Sequence, residues 1–214
     1  MRIPGTAAAA ALAALLIPAT AHAAPAAAPG DSVTLPVRDA FAQLVVSDED
    51  RTGYERTAFR HWVDADRDGC NTRAEMLKAE AVVAPEQGPG CKLSGGQWYS
   101  PYDDRYINGP SGLDIDHMVP LAEAWSPKER EAYANDLGDD RLLIAVSAAS
   151  NRSKADQDPT TWLPPTAGYR CQYVTDWVAD NQRWGLSIDT GDQPDLTQVL
   201  TACSNLPVTV TSAH

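Results

Sequence analysis

Two short apolar segments, each running into chemically active residues, constrain this chain more than any other feature. Leu113-Asp114-Ile115-Asp116-His117-Met118-Val119 alternates in character between Gly112 and Pro120, which predicts a strand. Arg141 to Val146 is a compact apolar run that predicts a second strand. Ser147 directly behind it is placed to cap a helix carrying Asn151-Arg152-Ser153-Lys154. Strand, long connection, strand and helix in that order fit neither an all-α nor an all-β arrangement, so the fold class expected is α+β. Neighbours on an extended strand point to opposite faces. Asp116 and His117 therefore address one ion differently unless a local bulge re-aims them.

The first residues belong to export and not to the fold. Arg2 supplies a small positive region, Ala7 to Ile17 an apolar stretch of signal-peptide length, Pro18 a break, and Ala21-His22-Ala23 an A-x-A cleavage site. The apolar run is shorter than the roughly 20 residues that span a bilayer. A secreted, soluble chain with no membrane association follows, with 1–23 a signal peptide and 24–36 an Ala/Pro-rich flexible lead-in. The rest suits one domain, expected over 37–205, and a monomer. Four cysteines in an exported chain imply two disulfides. Sequence order favours Cys70–Cys91 and Cys171–Cys203, although spacing alone leaves three connectivities open. There is no C-x-x-C pair to suggest zinc.

Local patterns divide that domain. Val37 to Val46 and Glu49 to Trp62 read as amphipathic helices, and Thr72 to Val83 as another; residues 84–96 read as turn and loop. Short strands are expected at Gln97 to Ser100 and Arg105 to Ile107, joined to the next element by an Asn108-Gly109-Pro110 turn. Ser126-Pro127-Lys128-Glu129 starts a helix that runs to about Asn135. Tyr169, Tyr173 and Trp177 recur every fourth residue beside Val174 and Val178, a buried helical face. A last helix covers Pro194 to Ala202. The expected layout is a helical N-terminal part (37–94), a central core (95–165) and C-terminal helices (166–205).

Chemistry concentrates in the two segments that define the fold. An acid and an amide can hold a hard divalent cation, and a neutral histidine can take a proton from water. Asp116, Asn151 and His117 are thus the parts of a one-metal phosphodiesterase. Of the other histidines, His22 leaves with the signal, His214 is terminal, and His61 reads as packing. The formal net charge of −12 opposes a nucleic-acid reading, because such binders often carry a basic footprint. An enzyme that binds transiently needs only a local basic site.

Asp114-Ile115-Asp116-His117-Met118-Val119-Pro120, the apolar Leu142 to Ser147 and Asn151-Arg152-Ser153-Lys154 resemble the HNH endonuclease family, whose fold is the ββα-metal (His-Me finger) fold. The likeness continues through Asp156-Gln157-Asp158-Pro159 and Trp162-Leu163-Pro164-Pro165, covering roughly 95–190. It is greatest to secreted actinobacterial HNH proteins and to the nuclease module of certain modification-dependent restriction enzymes. The resemblance implies a ββα-metal core embedded in a mainly helical single domain. It also implies His117 as general base, Asp116 and Asn151 as metal ligands, and Mg²⁺, Mn²⁺ or another divalent ion at the catalytic site. Arg152 and Lys154 flank the ligand and are candidate phosphate-binding residues, the alternative being a solvated helix face. Asp114 reads as a structural acid; Glu123 and Asp158 are weaker candidates. One departure stands out: Leu142 occupies about the place of the family's middle Asn, with Asn135 or Asp140 as substitutes.

A second metal-like motif precedes this core. Asp64-Ala65-Asp66-Arg67-Asp68-Gly69-Cys70-Asn71-Thr72-Arg73-Ala74-Glu75 fits an EF-hand loop, with helical patterns on both sides. Candidate Ca²⁺ ligands are Asp64, Asp66, Asp68, the Cys70 carbonyl and Glu75. The loop is unpaired and Cys70 is expected in a disulfide, which favours a structural over a regulatory site. The expected activity is hydrolysis of nucleic acid, DNA favoured over RNA. The alternative is a calcium-stabilised extracellular binding or cell-surface module with a vestigial nuclease site.

Overall fold

The computed structural model describes residues 28–48, 54–122 and 127–213. The expected signal peptide, His22, Glu123, Ser126 and His214 lie outside these residues. In chain order the elements are β1 (Ser32–Pro36), α1 (Val37–Ala42), β2 (Val45–Val46), α2 (Thr72–Ala79), β3 (Ala81–Val83), β4 (Glu86–Gly88), β5 (Lys92–Ser94), β6 (Gln97–Ser100), β7 (Arg105–Asn108) and β8 (Leu113–His117). These are followed by α3 (Pro127–Ala134), β9 (Leu143–Ser147), α4 (Ala148–Lys154), α5 (Arg170–Trp184), β10 (Ser187–Ile188), α6 (Gln193–Thr201) and β11 (Pro207–Thr211). The class is α+β, but the mainly helical expectation is not met: eleven short strands accompany six α-helices among the described residues.

The two defining segments pair as antiparallel strands. β8 and β9 run in register from Leu113 opposite Ser147 to His117 opposite Leu143. Leu113, Ile115, Leu143, Ala145 and Val146 are all buried. Helix α4 starts without a connecting loop, because the Ser147 hydroxyl accepts from the Ser150 amide at 3.2 Å and caps its first turn. That helix packs on both strands, as does α2, while β6 lies beside β9. Trp98 of β6 is fully buried and its indole donates to the Leu77 carbonyl at 2.7 Å. Burying a ring of this size contributes about 2–3 kcal/mol.

Several local expectations give way to pairing. The helix expected over Val37 to Val46 stops at Ala42, and Val45–Val46 pairs in parallel with β10. The described part of Glu49 to Trp62 holds only a 3₁₀ turn, Arg56–Ala58, with extended backbone at Glu55 and Phe59. Helix α2 ends at Ala79, where the β-branched Val82-Val83 pair instead joins an antiparallel sheet in the order β3-β6-β7. The expected loop 84–96 contains the β4–β5 hairpin. The lead-in expected to be flexible through residue 36 contains β1, zipped to β11 from Ser32–Thr211 to Pro36–Pro207. Alternating Val33 and Leu35 against Val208 and Val210 give that ribbon an apolar face, with Val208 and Val210 buried.

Two other expectations are met, the buried Tyr173–Trp177 helical face and the two disulfides. Helix α5 buries Tyr173, Val174, Trp177 and Val178 and ends at Gly185 in the left-handed region. The disulfides are Cys70–Cys91 and Cys171–Cys203, at sequence separations of 21 and 32. Closing loops of that length contributes on the order of 3–4 kcal/mol each by restricting the unfolded chain. No helix among the described residues is long and apolar enough to cross a membrane.

Candidate active site

The end of β8 meets the end of α4 in a buried ion pair. Asp116 is 4% exposed, and Lys154, expected to hold phosphate, is fully buried. Its ammonium lies 2.9 and 2.7 Å from the two Asp116 carboxylate oxygens and donates to the His117 and Met118 carbonyls at 2.7 and 3.0 Å. The Tyr102 hydroxyl donates to Asp116 Oδ2 at 2.5 Å. Lys154 therefore faces inward, away from any phosphate, which corrects the sequence reading. Lys154 is the last residue of α4, where the Asp116 carboxylate and the carbonyls that follow β8 enclose its ammonium. Burial raises the Asp116 carboxyl above its ordinary value, opposed by the Lys154 ammonium and the two hydrogen bonds.

His117 is held from three sides. Its ring stacks on Trp62 at 5.6 Å between centroids and 20° between planes, and Tyr133 lies 5.9 Å away. Nε2 is 3.2 Å from the Ala134 carbonyl at the end of α3. A neutral imidazole in that bond carries its proton on Nε2, which leaves the Nδ1 lone pair as the base. Burial lowers the pKa to about 3, with the Lys154 and Arg56 charges adding to it and the Ala134 bond opposing it. The ring is therefore neutral over the physiological range.

The segments behind this histidine are pinned by two polar groups. The Asn135 amide accepts from the Val63 N–H (2.8 Å) and the Thr72 hydroxyl (2.7 Å), and it donates to the Arg60 (2.9 Å) and Glu131 (2.8 Å) carbonyls. It thus locks the backbone next to Ala134 onto the 60–63 segment. Asp140 lines a separate pocket with Glu75 and Glu80. The buried Asp180 carboxylate accepts from the Val119 amide and from the Tyr133 hydroxyl, whose oxygen also lies 3.0 Å from the Val119 carbonyl. Burial pushes that acid well above its ordinary value.

Asp116, His117, Asn151 and Arg152 open together on a cleft of about 410 Å³, and Tyr54, Arg56 and Asp156 line it too. The Asn151 side chain makes no hydrogen bond to any described residue. Arg152 is 76% exposed at its side chain and meets Asp114 at 3.5 Å, an ion pair too solvated to contribute much. Asp114 is thus a surface partner of Arg152. Asp158 serves a turn, accepting from the Thr160 amide and hydroxyl at 2.8 and 2.6 Å. His61 stacks on Phe59 at 4.6 Å, and burial lowers its pKa. Sequence reasoning missed Tyr54, Arg56, Trp62, Tyr102, Tyr133 and Asp180. All reach the site across 14 to more than 60 residues, and no local pattern marks them.

The donor set suits a hard cation. Asp116 Oδ1 accepts only from Lys154 and keeps a lone pair, and the Asn151 amide oxygen is unengaged among the described residues. One carboxylate and one amide, with room for water and phosphate, match how Mg²⁺ is held. The Asp64 loop gathers a second cluster. One carboxylate oxygen each from Asp64, Asp66 and Asp68 lie within 4.8 Å of one another, and Glu75 comes as near to Asp68, while the Cys70 sulfur is taken up in its disulfide. Gly69 (φ +94°) makes the turn, and Asp64 Oδ2 accepts its amide at 3.1 Å. The loop is not flanked by helices on both sides as expected, because only α2 follows it. The Phe59–Val63 approach is a bent, non-helical segment tied down by Glu131 and Asn135.

Residues 84–199 match the GmrSD restriction endonuclease C-terminal domain family, more than half of the chain and all of β8, β9 and α4. An uncharacterized secreted protein of Arthroderma benhamiae is 35% identical over 158 residues, covering 71% of this chain and 76% of that protein. No solved structure matches. The match over the segment that carries Asp116, His117 and Asn151 leads to one conclusion: the chain belongs to the family of GmrSD restriction endonuclease C-terminal domains.

Proposed function

We propose that this protein is a secreted, metal-dependent HNH endonuclease that hydrolyses phosphodiester bonds in DNA, with β8, β9 and α4 as a ββα-metal core. One observation carries the reading. His117 has Nε2 engaged with Ala134 and shares its cleft with an acid and an amide that no described residue engages. In this mechanism His117 Nδ1 takes the proton of the attacking water, and the Ala134 carbonyl steadies the imidazolium that forms. A phosphodiester anion in the cleft favours that cation and raises the His117 pKa toward the working range. Asp116 and Asn151 would hold Mg²⁺ or Mn²⁺, which supplies charge neutralisation at the phosphate oxygens when bound. Lys154 and Tyr102 keep the Asp116 carboxylate in one orientation.

Export is supported by the A-x-A leader, by two disulfides and by the secreted fungal relative. The Asp64 loop is read as a structural Ca²⁺ site of the low-affinity extracellular kind. Purified protein is expected to nick plasmid DNA with Mg²⁺ and to stop with chelator. His117→Ala should lower the rate by about 10²–10⁴ with an unchanged circular-dichroism spectrum. A folded His117→Ala protein that nicks at the wild-type rate would refute the assignment.

A further inference from the structure

We propose that Arg56 and Arg152 form a two-arginine clamp for the phosphates adjoining the scissile one, so that the cleft selects an oligonucleotide strand over a lone phosphodiester. This rests on the nuclease reading and goes beyond it, because Arg56 lies outside the 84–199 segment that matches the family.

Three observations support the clamp. Both arginines line the cleft that holds His117 and Asn151, one from the Arg56–Ala58 turn and one from α4. Arg56 is exposed and forms no ion pair with any described residue. An exposed guanidinium at a cleft is available to an external anion. Among the described residues Arg152 has only the solvated contact to Asp114, which a phosphate displaces at little cost.

The charge balance of the cleft agrees. Asp116 is offset by buried Lys154, which leaves Arg56 and Arg152 against Asp156 among the lining residues. The cleft thus presents two guanidiniums, one of them loosely held by Asp114, on an acidic protein. The Arg56 wall is also held in place. Tyr54 sits under the Arg130 guanidinium of α3 at 5.0 Å, Trp62 stacks on His117, and the Arg60 carbonyl and Val63 amide are tied to Asn135. The N-terminal segment thus contributes a cation to a site whose reacting groups all lie in the family-matching segment.

The test measures binding of an end-labelled DNA strand by fluorescence anisotropy, with the non-cleaving His117→Ala protein as parent, over a series of salt concentrations. Arg56→Ala is expected to weaken Kd roughly tenfold. It should also reduce the slope of log Kd against log salt by about 1, and adding Arg152→Ala by about 1 more. Arg56→Lys should keep the slope, because the charge remains. Unchanged Kd and slope in Arg56→Ala, with a parent that binds and a wild type that cleaves, overturns the clamp and leaves the nuclease reading standing. A folded wild type that neither binds nor cleaves the strand overturns both. Arg56 is exposed, so circular dichroism and thermal melting are expected to match the parent and to exclude a folding defect.

Discussion

Replacing Lys154 by Met removes the ammonium from a pair in which neither side chain is more than 5% exposed. Asp116 is left buried with one donor, Tyr102, and two backbone carbonyls at the end of β8 lose their partner. Removing one member of a buried pair costs about 3–5 kcal/mol, a large part of the 5–15 kcal/mol that holds a domain together. For a domain of this size that is a fall in Tm of roughly 6–20 °C. The deficit must also depend on pH in a definite sense. Without its counter-ion the Asp116 carboxyl rises further above the unfolded value of about 3.9. An acid raised in the folded state holds its proton there while the unfolded chain has lost it. Stability is therefore present at low pH and falls as pH rises through the interval, by about 1.4 kcal/mol per unit. Urea denaturation from pH 5 to 8 should show the gap between variant and wild type widening with pH. The double variant Lys154→Met with Asp116→Asn should recover much of the loss. A deficit below about 1 kcal/mol at pH 7, or one flat across the range, would refute the buried pair.

Two further outcomes follow from the packing around the site. Asn135→Ala removes four hydrogen bonds of 2.7–2.9 Å. It should cost about 2–3 kcal/mol in chemical denaturation and lower kcat for nicking with little change in KM, because Ala134 no longer fixes His117. A drop in KM-dependent binding alone would contradict that role. Calcium at 10 mM should raise Tm by roughly 3–10 °C if the Asp64 loop binds with an extracellular affinity of 10⁻⁴–10⁻³ M. Asp64→Asn should abolish the shift, and a wild type insensitive to calcium rules the site out.

How legible each part was depends on the range of the interaction behind it. β8, β9 and α4 were readable because alternation, an apolar run and a serine cap are local signals. The same holds for the Tyr173–Trp177 stripe and, through sequence order, for the two disulfides. The N-terminal half was misread where pairing partners are distant. Val82-Val83 continues a helical pattern until β6 offers a strand to join, and Val33 and Leu35 look like a lead-in until β11 returns from the other end of the chain.

At the site, residue chemistry was readable and environment was not. Asp116, His117 and Asn151 stand out by type and order, since acid, base and amide are properties of single side chains. Lys154 reads as one more cation on a polar helix, and only the docking of α4 against β8 turns it into the buried counter-ion of Asp116. Arg56 reads as a surface charge, and only the return of residues 54–63 over His117 brings it to the cleft. Covalent structure sets which groups can ionise, accept or donate. Burial, neighbouring charge and a partner's distance set what each does, and those exist only once the chain has folded.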